Sequence, residues 1–361
     1  MNYKSLLLAA TLILALSAGS LAQTFEKSLD VTRTFPIKKM TTIQVENKYG
    51  NINIIPWEKD SVKFEIHLEV TSSKMDRLDK TFKSIDFDFT ANEYFVITRT
   101  VFKNQKSKFL AELTDMATSL FSHSNAQIDY TIYLPESAEL TIDNKYGNVY
   151  TTNLIGKLIL NISNGDLRAN ALSGVVRADL EFGDFAVKEL KNANIEFNYA
   201  NAEIRKADKL MIESRSSEIE IDDAVEIDIN SRRDKINIKN ISRITGDLSF
   251  SEIYLRVLDK ELIMKTEYGG LEIDQVPENF KLIDLTSQYT DLSLMVSKES
   301  QFDLELIHTK ESDVTISGFV EVTNTEVLNK DEGVVKVSGV QGKNVNSRIR
   351  VDLKSGSFKI L

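Results

Sequence analysis

A short unit recurs along the chain at spacings of mostly 17 or 18 residues, and this repeat limits the fold more than any other feature. Its clearest copies have the sequence NKYGN, at residues 47–51 and 144–148. With the Tyr of this motif as position zero, thirteen copies are centred on Tyr49, Tyr146, Asn164, Phe182, Tyr199, Ser216, Arg233, Phe250, Tyr268, Tyr289, Glu311, Glu332 and Ser355. After a first gap of 97 residues, the spacings are 18, 18, 17, 17, 17, 17, 18, 21, 22, 21 and 23. Such regularity predicts a stacked repeat architecture.

Each copy carries the apolar alternation of a strand with one buried face. The third residue after position zero is apolar in every copy, and the fifth is apolar except at Thr151. A matching apolar series four residues before position zero includes Ile142, Leu160, Ile195, Ile212, Ile229, Met264, Leu285, Ile307 and Val351. Seven residues separate the two series, so a straight strand cannot bury both. The chain must turn at position zero, where Gly, Asn and Asp are frequent neighbours that tolerate turn geometry.

These units can stack as parallel coils or run as an antiparallel meander of hairpins. Parallel stacking would place the sixth residues after position zero side by side: Lys188, Arg205, Asp222, Lys239, Arg256 and Asp274. Opposite charges are then adjacent in three of these five pairs, although Glu203 would lie beside Glu220 at another position. The pattern favours an all-β solenoid of about 12 coils.

The first 22 residues have the features of a secretory signal peptide. Lys4 is an early positive charge, an apolar run covers residues 6–16, and Ser20 and Ala22 are small residues near a cleavage site. The apolar run is too short for a membrane span, which needs about 20 residues. The sequence predicts cleavage after Ala22, export to the periplasm, the cell envelope or the medium, and no transmembrane helix.

Residues 61–135 interrupt the repeat. Alternating residues predict strands within 62–70, 87–102 and 128–135. Apolar residues at helical spacing predict a helix over 72–85.

A second helix is predicted over residues 106–122 by a stripe of apolar side chains. This helix either packs as part of a cap or contacts a membrane or a partner. We expect residues 23–135, with the first repeat copy, to form an N-terminal α+β cap on the repeats of 136–361. The end of a solenoid needs such a cap because it exposes unpaired strand edges.

Composition excludes several classes of partner and chemistry. The chain contains 44 Lys and Arg against 54 Asp and Glu, a net charge of −10, which becomes −11 once Lys4 is removed. Such a charge argues against nucleic acid, because phosphate contacts need clustered Lys and Arg. Cysteine is absent, which excludes disulfides, thiolate metal sites and thiol catalysis.

Two stretches resemble a known family. They are ENKYGNINIIPWEKDSVKFEI at residues 46–66 and YTIYLPESAELTIDNKYGNVYTTNLIGKLILNISNGDLRANALSG at residues 130–174. Both resemble the putative adhesin family of bacterial secreted β-solenoid domains, which have YG-turn repeats and an unknown biochemical function. The resemblance implies a right-handed parallel β-helix, or a closely related β-solenoid, exported to the cell envelope. It supplies no catalytic residues, and the later copies of this chain are longer than the family pattern.

No arrangement of residues predicts a catalytic or metal site. The three histidines, His67, His123 and His308, lie far apart in the sequence. Acidic and amide residues recur two positions after zero, where a calcium ladder is conceivable and turn chemistry explains the same residues without an ion. Asp222 and Asp223 are the densest carboxylate pair, but neighbouring strand residues face opposite ways. We therefore expect no cofactor and no enzymatic activity.

Aromatic residues at position zero are the candidate ligand or partner surface: Tyr146, Phe182, Tyr199, Phe250, Tyr268 and Tyr289. With Tyr49 they would form a partial ladder, interrupted at Asn164, Ser216 and Arg233. Exposed rings could stack on sugars or grip a protein, whereas inward rings would only stabilise the corner. The sequence favours packing inward or into the corner.

Three functions are consistent with these features. The favoured one is a non-enzymatic exported β-solenoid that presents an extended surface to a protein or glycan of the cell envelope. The first alternative is a polysaccharide-active β-helix enzyme that uses a carboxylate cluster. The second is a structural envelope protein that self-associates through the strand edge at its C-terminus, residues 357–361.

Overall fold

The computed structural model describes residues 24–103 and 124–361. The predicted signal peptide and the predicted helix at 106–122 lie outside these residues. The described N-terminal part contains one helix, α1 (Met75–Ser84), and the strands β1 (Phe25–Pro36), β2 (Thr42–Lys48), β3 (Ile52–Pro56), β4 (Ser61–Ser72), β5 (Ile85–Ala91), β6 (Phe95–Phe102) and β7 (Ser124–Leu134). These elements confirm the helix predicted at 72–85 and the strands predicted within 62–70, 87–102 and 128–135.

Residues 135–361 contain strands and their connecting turns, and no helix. The strands are β8 (Glu139–Lys145), β9 (Val149–Thr151), β10 (Asn153–Leu154), β11 (Leu158–Ser163), β12 (Leu167–Glu181), β13 (Asp184–Asn198), β14 (Asn201–Arg215), β15 (Glu218–Arg232), β16 (Lys235–Ser249), β17 (Glu252–Val276), β18 (Leu282–Val296), β19 (Phe302–His308), β20 (Ser312–Ile316), β21 (Glu321–Asn329), β22 (Val334–Gln341) and β23 (Ser347–Ile360). The protein is therefore an all-β protein, as its period-two patterning predicted.

The described chain divides into two compact units. The smaller one takes in residues 24–30, 67–86, 101–103 and 124–127 and includes α1. The larger one comprises Val31–Ile66, Phe87–Thr100 and Ile128–Leu361, and it contains all the repeat copies.

Strands of the larger unit form a long, mostly parallel sheet in which each residue pairs with its equivalent one repeat later. Ile219 pairs with Ile236, and Arg215 pairs with Arg232, each in a parallel ladder. The same parallel pairing runs from β2 to β8, from β8 to β11 and onward in sequence order to β18. This register confirms parallel stacking over the antiparallel meander.

The turn predicted at position zero is confirmed, with a difference in which residue makes it. Eleven of the thirteen position-zero residues adopt a left-handed backbone: Tyr49, Tyr146, Asn164, Phe182, Tyr199, Ser216, Arg233, Phe250, Tyr268, Tyr289 and Ser355. Their φ values lie between 51° and 68°, a backbone region that residues other than Gly and Asn rarely adopt. The turn is thus made by the position-zero residue itself, and not by the Gly beside it.

The Gly that follows position zero allows the backbones of neighbouring corners to approach closely. A Cβ atom at Gly147 would lie 1.9 Å from the carbonyl oxygen of Gly50, and one at Gly165 would lie 2.0 Å from that of Gly147. This residue points inward, and in these copies the backbones approach so closely that no side chain fits between them.

Between corners, the chain runs as one long bent strand. Strands β13, β14, β15 and β16 each contain 15 residues, from two residues after one corner to the residue before the next. In β14 the alternation of buried and exposed residues breaks twice, at Arg205–Lys206 and at Asp208–Lys209. These polar positions are therefore bends within a continuous strand.

The predicted apolar series form the core. Ile219, Ile236 and Ile253 at the third position are 0–2% exposed, and Ile142, Ile195 and Ile229 before the corner are equally buried. The series fails at Ile307, which is half-buried, because Leu306 takes the inward position and pairs with Val351.

The C-terminal copies do not stack in sequence order. Strand β23 pairs in parallel with β18 on one side and with β19 and β20 on the other. The prediction of a free edge at residues 357–361, available for self-association, is therefore wrong. The predicted corner at Glu332 is also wrong, because β22 pairs antiparallel with β19 and β21.

Candidate binding surface

The position-zero residues form a ladder along one corner of the parallel sheet. Successive corners are joined by backbone hydrogen bonds: the N–H of Tyr199 donates to the carbonyl of Arg215, and that of Ser216 donates to Arg232, each at 3.0 Å. Side chains at neighbouring corners are therefore held about 4.8 Å apart, the spacing of paired strands.

Seven aromatic rings at these corners stack into three groups, which we call the aromatic ladder. Tyr49 and Tyr146 lie 5.4 Å apart between ring centroids, and Phe182 and Tyr199 lie 5.2 Å apart. The third group contains Phe250, Tyr268 and Tyr289 at successive spacings of 4.9 Å. Ring planes within each group are 8–12° from parallel. The breaks fall at Asn164 and at Ser216 and Arg233, as the sequence indicated.

The rings are exposed, which corrects the expectation that they pack inward. The six candidate side chains are 41–52% exposed: Tyr146, Phe182, Tyr199, Phe250, Tyr268 and Tyr289. The next residue in the chain takes the inward place, as Ala200 and Ser217 do. Tyr49 is more covered, and burial raises the pKa of its hydroxyl.

Stacking decides what these rings offer to a ligand. Within a group, each ring covers a face of its neighbour, so the ring edges and the Tyr hydroxyls remain open. Among the described residues, the end faces of the second and third groups are not covered by another aromatic ring. A sugar or a side chain can therefore contact the edges along the ladder or stack on a terminal face.

Cations lie beside two of the groups. Lys48 Nζ lies 4.8 Å from the ring centroid of Tyr49 and 5.6 Å from that of Tyr146. The Arg233 guanidinium lies 5.9 Å from the ring centroid of Phe250. Both distances permit cation–π attraction. The sequence reasoning overlooked these cations, although their positions at or next to position zero could have revealed them.

Polar side chains two residues after position zero hold neighbouring corners together. Asn51 Oδ1 accepts a hydrogen bond from the N–H of Asn148 at 2.9 Å, and Asn148 Oδ1 accepts one from the N–H of Asp166 at 2.9 Å. Asp166 Oδ1 in turn accepts one from the N–H of Asp184 at 3.1 Å. Backbone hydrogen bonding therefore accounts for the Asn and Asp residues at this position in these three copies. No group of three or more candidate metal ligands occurs within residues 24–103 and 124–361.

A buried polar cluster supports the corner near Ser216 from inside. Asp234 is 4% exposed, and its carboxylate accepts hydrogen bonds from the Ser217 N–H at 2.7 Å and the Ser231 hydroxyl at 2.6 Å. Burial raises the pKa of the Asp234 carboxyl, although the hydrogen bonds oppose the shift. The Ser251 hydroxyl lies 2.9 Å from that of Ser231 and 3.1 Å from the Asp234 backbone nitrogen. This network fixes the backbone of the corner without reaching its outer surface.

The other residues considered for chemistry are not brought together. Asp222 forms an ion pair with Lys239 at 2.6 Å, and Asp223 accepts a hydrogen bond from Asn240 at 2.7 Å. His67 pairs with Asp30 at 2.7 Å, and the ring of His308 lies 3.0 Å from the Thr309 carbonyl oxygen. His123 lies outside the described residues.

Open depressions flank the third aromatic group. One of about 560 Å³ is lined in part by Glu252, Tyr254, Gly270 and Asp291, and another of about 360 Å³ lies beside Glu267 and Gln288. Both are shallow, and neither is lined by an aromatic ring of the ladder.

The helix that the structure describes is neither long nor apolar enough to cross a membrane.

Comparison with known proteins gives structural similarity alone. No protein-family model matches the chain, and no curated protein matches it. The chain is similar to the crystal structure of a putative adhesin from Bacteroides fragilis, with 13% identity and a TM-score of 0.33 over 68% of this chain and 96% of that one. It is similar to a putative adhesin from Parabacteroides merdae, with 14% identity and a TM-score of 0.33 over 73% and 95%. It is also similar to a putative cell adhesion protein from Clostridium sporogenes, with 10% identity and a TM-score of 0.18 over 92% and 99%. At such low identities and TM-scores, these names support no inference about this chain.

Proposed function

We propose that the chain is an exported, non-enzymatic binding protein whose aromatic ladder presents an extended surface to a protein or glycan. The observation that carries this proposal is the exposure of six stacked rings on one corner of a hydrogen-bonded parallel sheet. Burying such rings against a partner contributes binding free energy with little loss of side-chain freedom, because the rings are already ordered.

The architecture we propose is a right-handed β-solenoid of about 12 coils over residues 136–361, with residues 23–135 as an N-terminal cap. The parallel register from β2 to β18 supports the stacking part of this proposal. Export of the chain after removal of residues 1–22 is part of the same proposal, and the features of the signal peptide support it.

Binding without catalysis is favoured by how the carboxylates are used. Asp222 and Asp223 are engaged with neighbouring strands, and the Asn and Asp residues beside the corners accept backbone N–H groups. Carboxylates held in this way are not available as the acid and base of polysaccharide cleavage.

The test is binding of purified residues 23–361 to a glycan array and to envelope extracts. We expect a Tyr146→Ala, Tyr199→Ala, Tyr268→Ala triple variant to lose most of this binding. Tyr94→Ala is the matched control, because Tyr94 is 69% exposed and lies away from the ladder. Equal binding by the triple variant and the wild type would rule out the ladder as the surface.

A further inference from the structure

Three arginines lie together at the longest internal break in the aromatic ladder, around Ser216. Arg215 and Arg232 are register partners on neighbouring parallel strands. Arg233 follows directly and occupies the next corner. All three are exposed, in a chain whose net charge is −10. Like charges directly opposite each other on neighbouring strands destabilise a sheet. The cluster therefore lowers the stability of the sheet, and its position is better explained by a function than by stability.

No carboxylate in the part of the chain that the structure describes forms an ion pair with these arginines. None of the ion pairs among residues 24–103 and 124–361 includes them. Arg243, by contrast, pairs with Glu261 at 2.7 Å on a nearby part of the same sheet. The guanidinium groups at the break are therefore free to bind an anion from solution.

The break also leaves room for one ring. Tyr199 and Arg233 are two strand spacings apart, or about 10 Å, and only the small side chain of Ser216 stands between them. One face of Tyr199 is covered by Phe182 at 5.2 Å, and its other face points toward the Ser216 corner. Arg233 closes the far side of the gap, with its guanidinium placed over Phe250 at 5.9 Å.

We propose that this break binds a single anionic sugar, a pyranose ring carrying one carboxylate, within an otherwise neutral glycan. The pyranose ring stacks on the open face of Tyr199 above Ser216, at the spacing of a ladder ring. Its carboxylate accepts charge-assisted hydrogen bonds from Arg215 and Arg232, whose planar guanidinium groups match carboxylate geometry. The inference rests on the proposed function, since it names the ligand class for one part of the same surface.

Neighbouring charges favour one anionic sugar over a long polyanion. Exposed acidic residues lie before the break, with Asp179 and Glu181 on β12, Glu196 on β13, and Glu213 two residues before Arg215 on β14. A chain with a charge on every unit would be repelled by these carboxylates once it extended past the three arginines. The same repulsion disfavours single-stranded nucleic acid, which could otherwise stack bases on Tyr199.

The first experiment compares two disaccharides that differ by one carboxylate, cellobiouronic acid and cellobiose. Saturation-transfer NMR and titration with residues 23–361 should show binding of the acid at least about tenfold tighter than binding of the neutral sugar. Arg232→Gln should weaken binding of the acid about tenfold or more. Arg243→Gln is the charge-matched control and should leave it unchanged, because Arg243 lies outside the break.

The second experiment fills the gap. Ser216→Tyr places a ring at a corner whose backbone already accepts Tyr in other copies, so the variant should fold and block the acid. Asn164→Tyr fills the other internal break, a single corner that lacks the arginines, and should leave binding of the acid intact.

Each remaining outcome decides the inference. Equal binding of the acid by Ser216→Tyr and the wild type would overturn it, as would equal binding of the acid and the neutral disaccharide. Binding of an oligothymidylate that Ser216→Tyr abolishes would reassign the break to nucleic acid. If a neutral glycan or a protein still binds through Tyr268 while the acid does not, this inference fails and the proposed function stands.

Discussion

The rings of Tyr49 and Tyr146 stack with centroids 5.4 Å apart, although 97 residues separate them in the chain. Their strands are register neighbours, with Asn47 opposite Asn144 and Lys48 opposite Lys145. Residues 61–135 are thus inserted between two adjacent corners. The two NKYGN segments are consecutive repeats in space, and the conserved wording reflects one corner packed directly on the next.

Gly147→Ala should destabilise this corner. The new Cβ would lie 1.9 Å from the Gly50 carbonyl oxygen, so the backbone of one corner has to shift, at a cost of about 1–3 kcal/mol. Chemical denaturation followed by circular dichroism measures the change. Gly270→Ala is the control, because its Cβ would meet nothing closer than 3.9 Å, and the control should unfold like the wild type. Similar losses in both variants would contradict the argument from close approach.

Tyr268→Ala should cost more stability than the loss of any other exposed tyrosine. Tyr268 stacks on both Phe250 and Tyr289 at 4.9 Å, and each aromatic pair contributes about 0.5–1.5 kcal/mol. The free energy of unfolding should fall by about 1–3 kcal/mol. Tyr94→Ala should change it by less than about 0.5 kcal/mol, as expected for an isolated surface side chain. No difference between the two variants would mean that the stacking contributes nothing.

Asn148→Ala should weaken the join between two corners. It removes the Oδ1 acceptor for the N–H of Asp166, at a cost of about 1 kcal/mol in the free energy of unfolding. Asn192→Ala, at an exposed amide between corners, should be close to neutral.

The role of Asn148 and its equivalents as acceptors also predicts the effect of a chelator. Their side-chain oxygens are occupied by backbone N–H groups, so addition of EDTA should leave the melting temperature unchanged. A lower melting temperature in EDTA, restored by calcium, would show that these oxygens bind an ion.

Asp234 should make the protein relatively more stable at acidic pH. Burial raises the pKa of its carboxyl in the folded state above the ordinary value of 3.8, so the folded state holds its proton more tightly than the unfolded state does. This stabilisation is full below pH 3.8 and is lost as the pH rises through the folded pKa. As the pH rises over that range, the unfolding free energy of the wild type should therefore fall relative to that of Asp234→Asn. Denaturation curves at several pH values test this, and a constant difference would contradict it.

Phe358→Ala should strongly destabilise the C-terminal part of the sheet. Phe358 is fully buried in β23, between β18 and β20, and its truncation should cost about 3–5 kcal/mol. Lys359→Ala, at the exposed neighbouring position, is the control. Sedimentation should show the same oligomeric state for Lys359→Ala as for the wild type. The reason is that β23 has a paired strand on each side and so offers no free edge for self-association. A stable Phe358→Ala variant would contradict the central position of β23.

The repeats show which local features were readable in advance. A period of 17 or 18 residues, with apolar residues at fixed offsets, predicted parallel stacking, and the pairing of Ile219 with Ile236 confirms it. The register is legible because a one-residue slip would move every apolar side chain from the core to the surface. The corner at position zero could be predicted because the apolar series before and after it are seven residues apart, and a straight strand cannot bury both.

Features that depend on contacts between distant segments were not readable in advance. The insertion of β23 between β18 and β19 follows no local pattern, because any strand with the right alternation can fill that place. Arg215, Arg232 and Arg233 look like ordinary surface charges along the chain, and only the parallel register brings them to one break in the ladder.

The sequence by itself determined the strand period, the apolar core and the corner at position zero, because these depend on side-chain alternation over a few residues. Only the tertiary structure decided that the corner rings face outward. The reason is the backbone: the left-handed turn at position zero gives the inward place to the following residue, and this residue has to be small where corners approach closely.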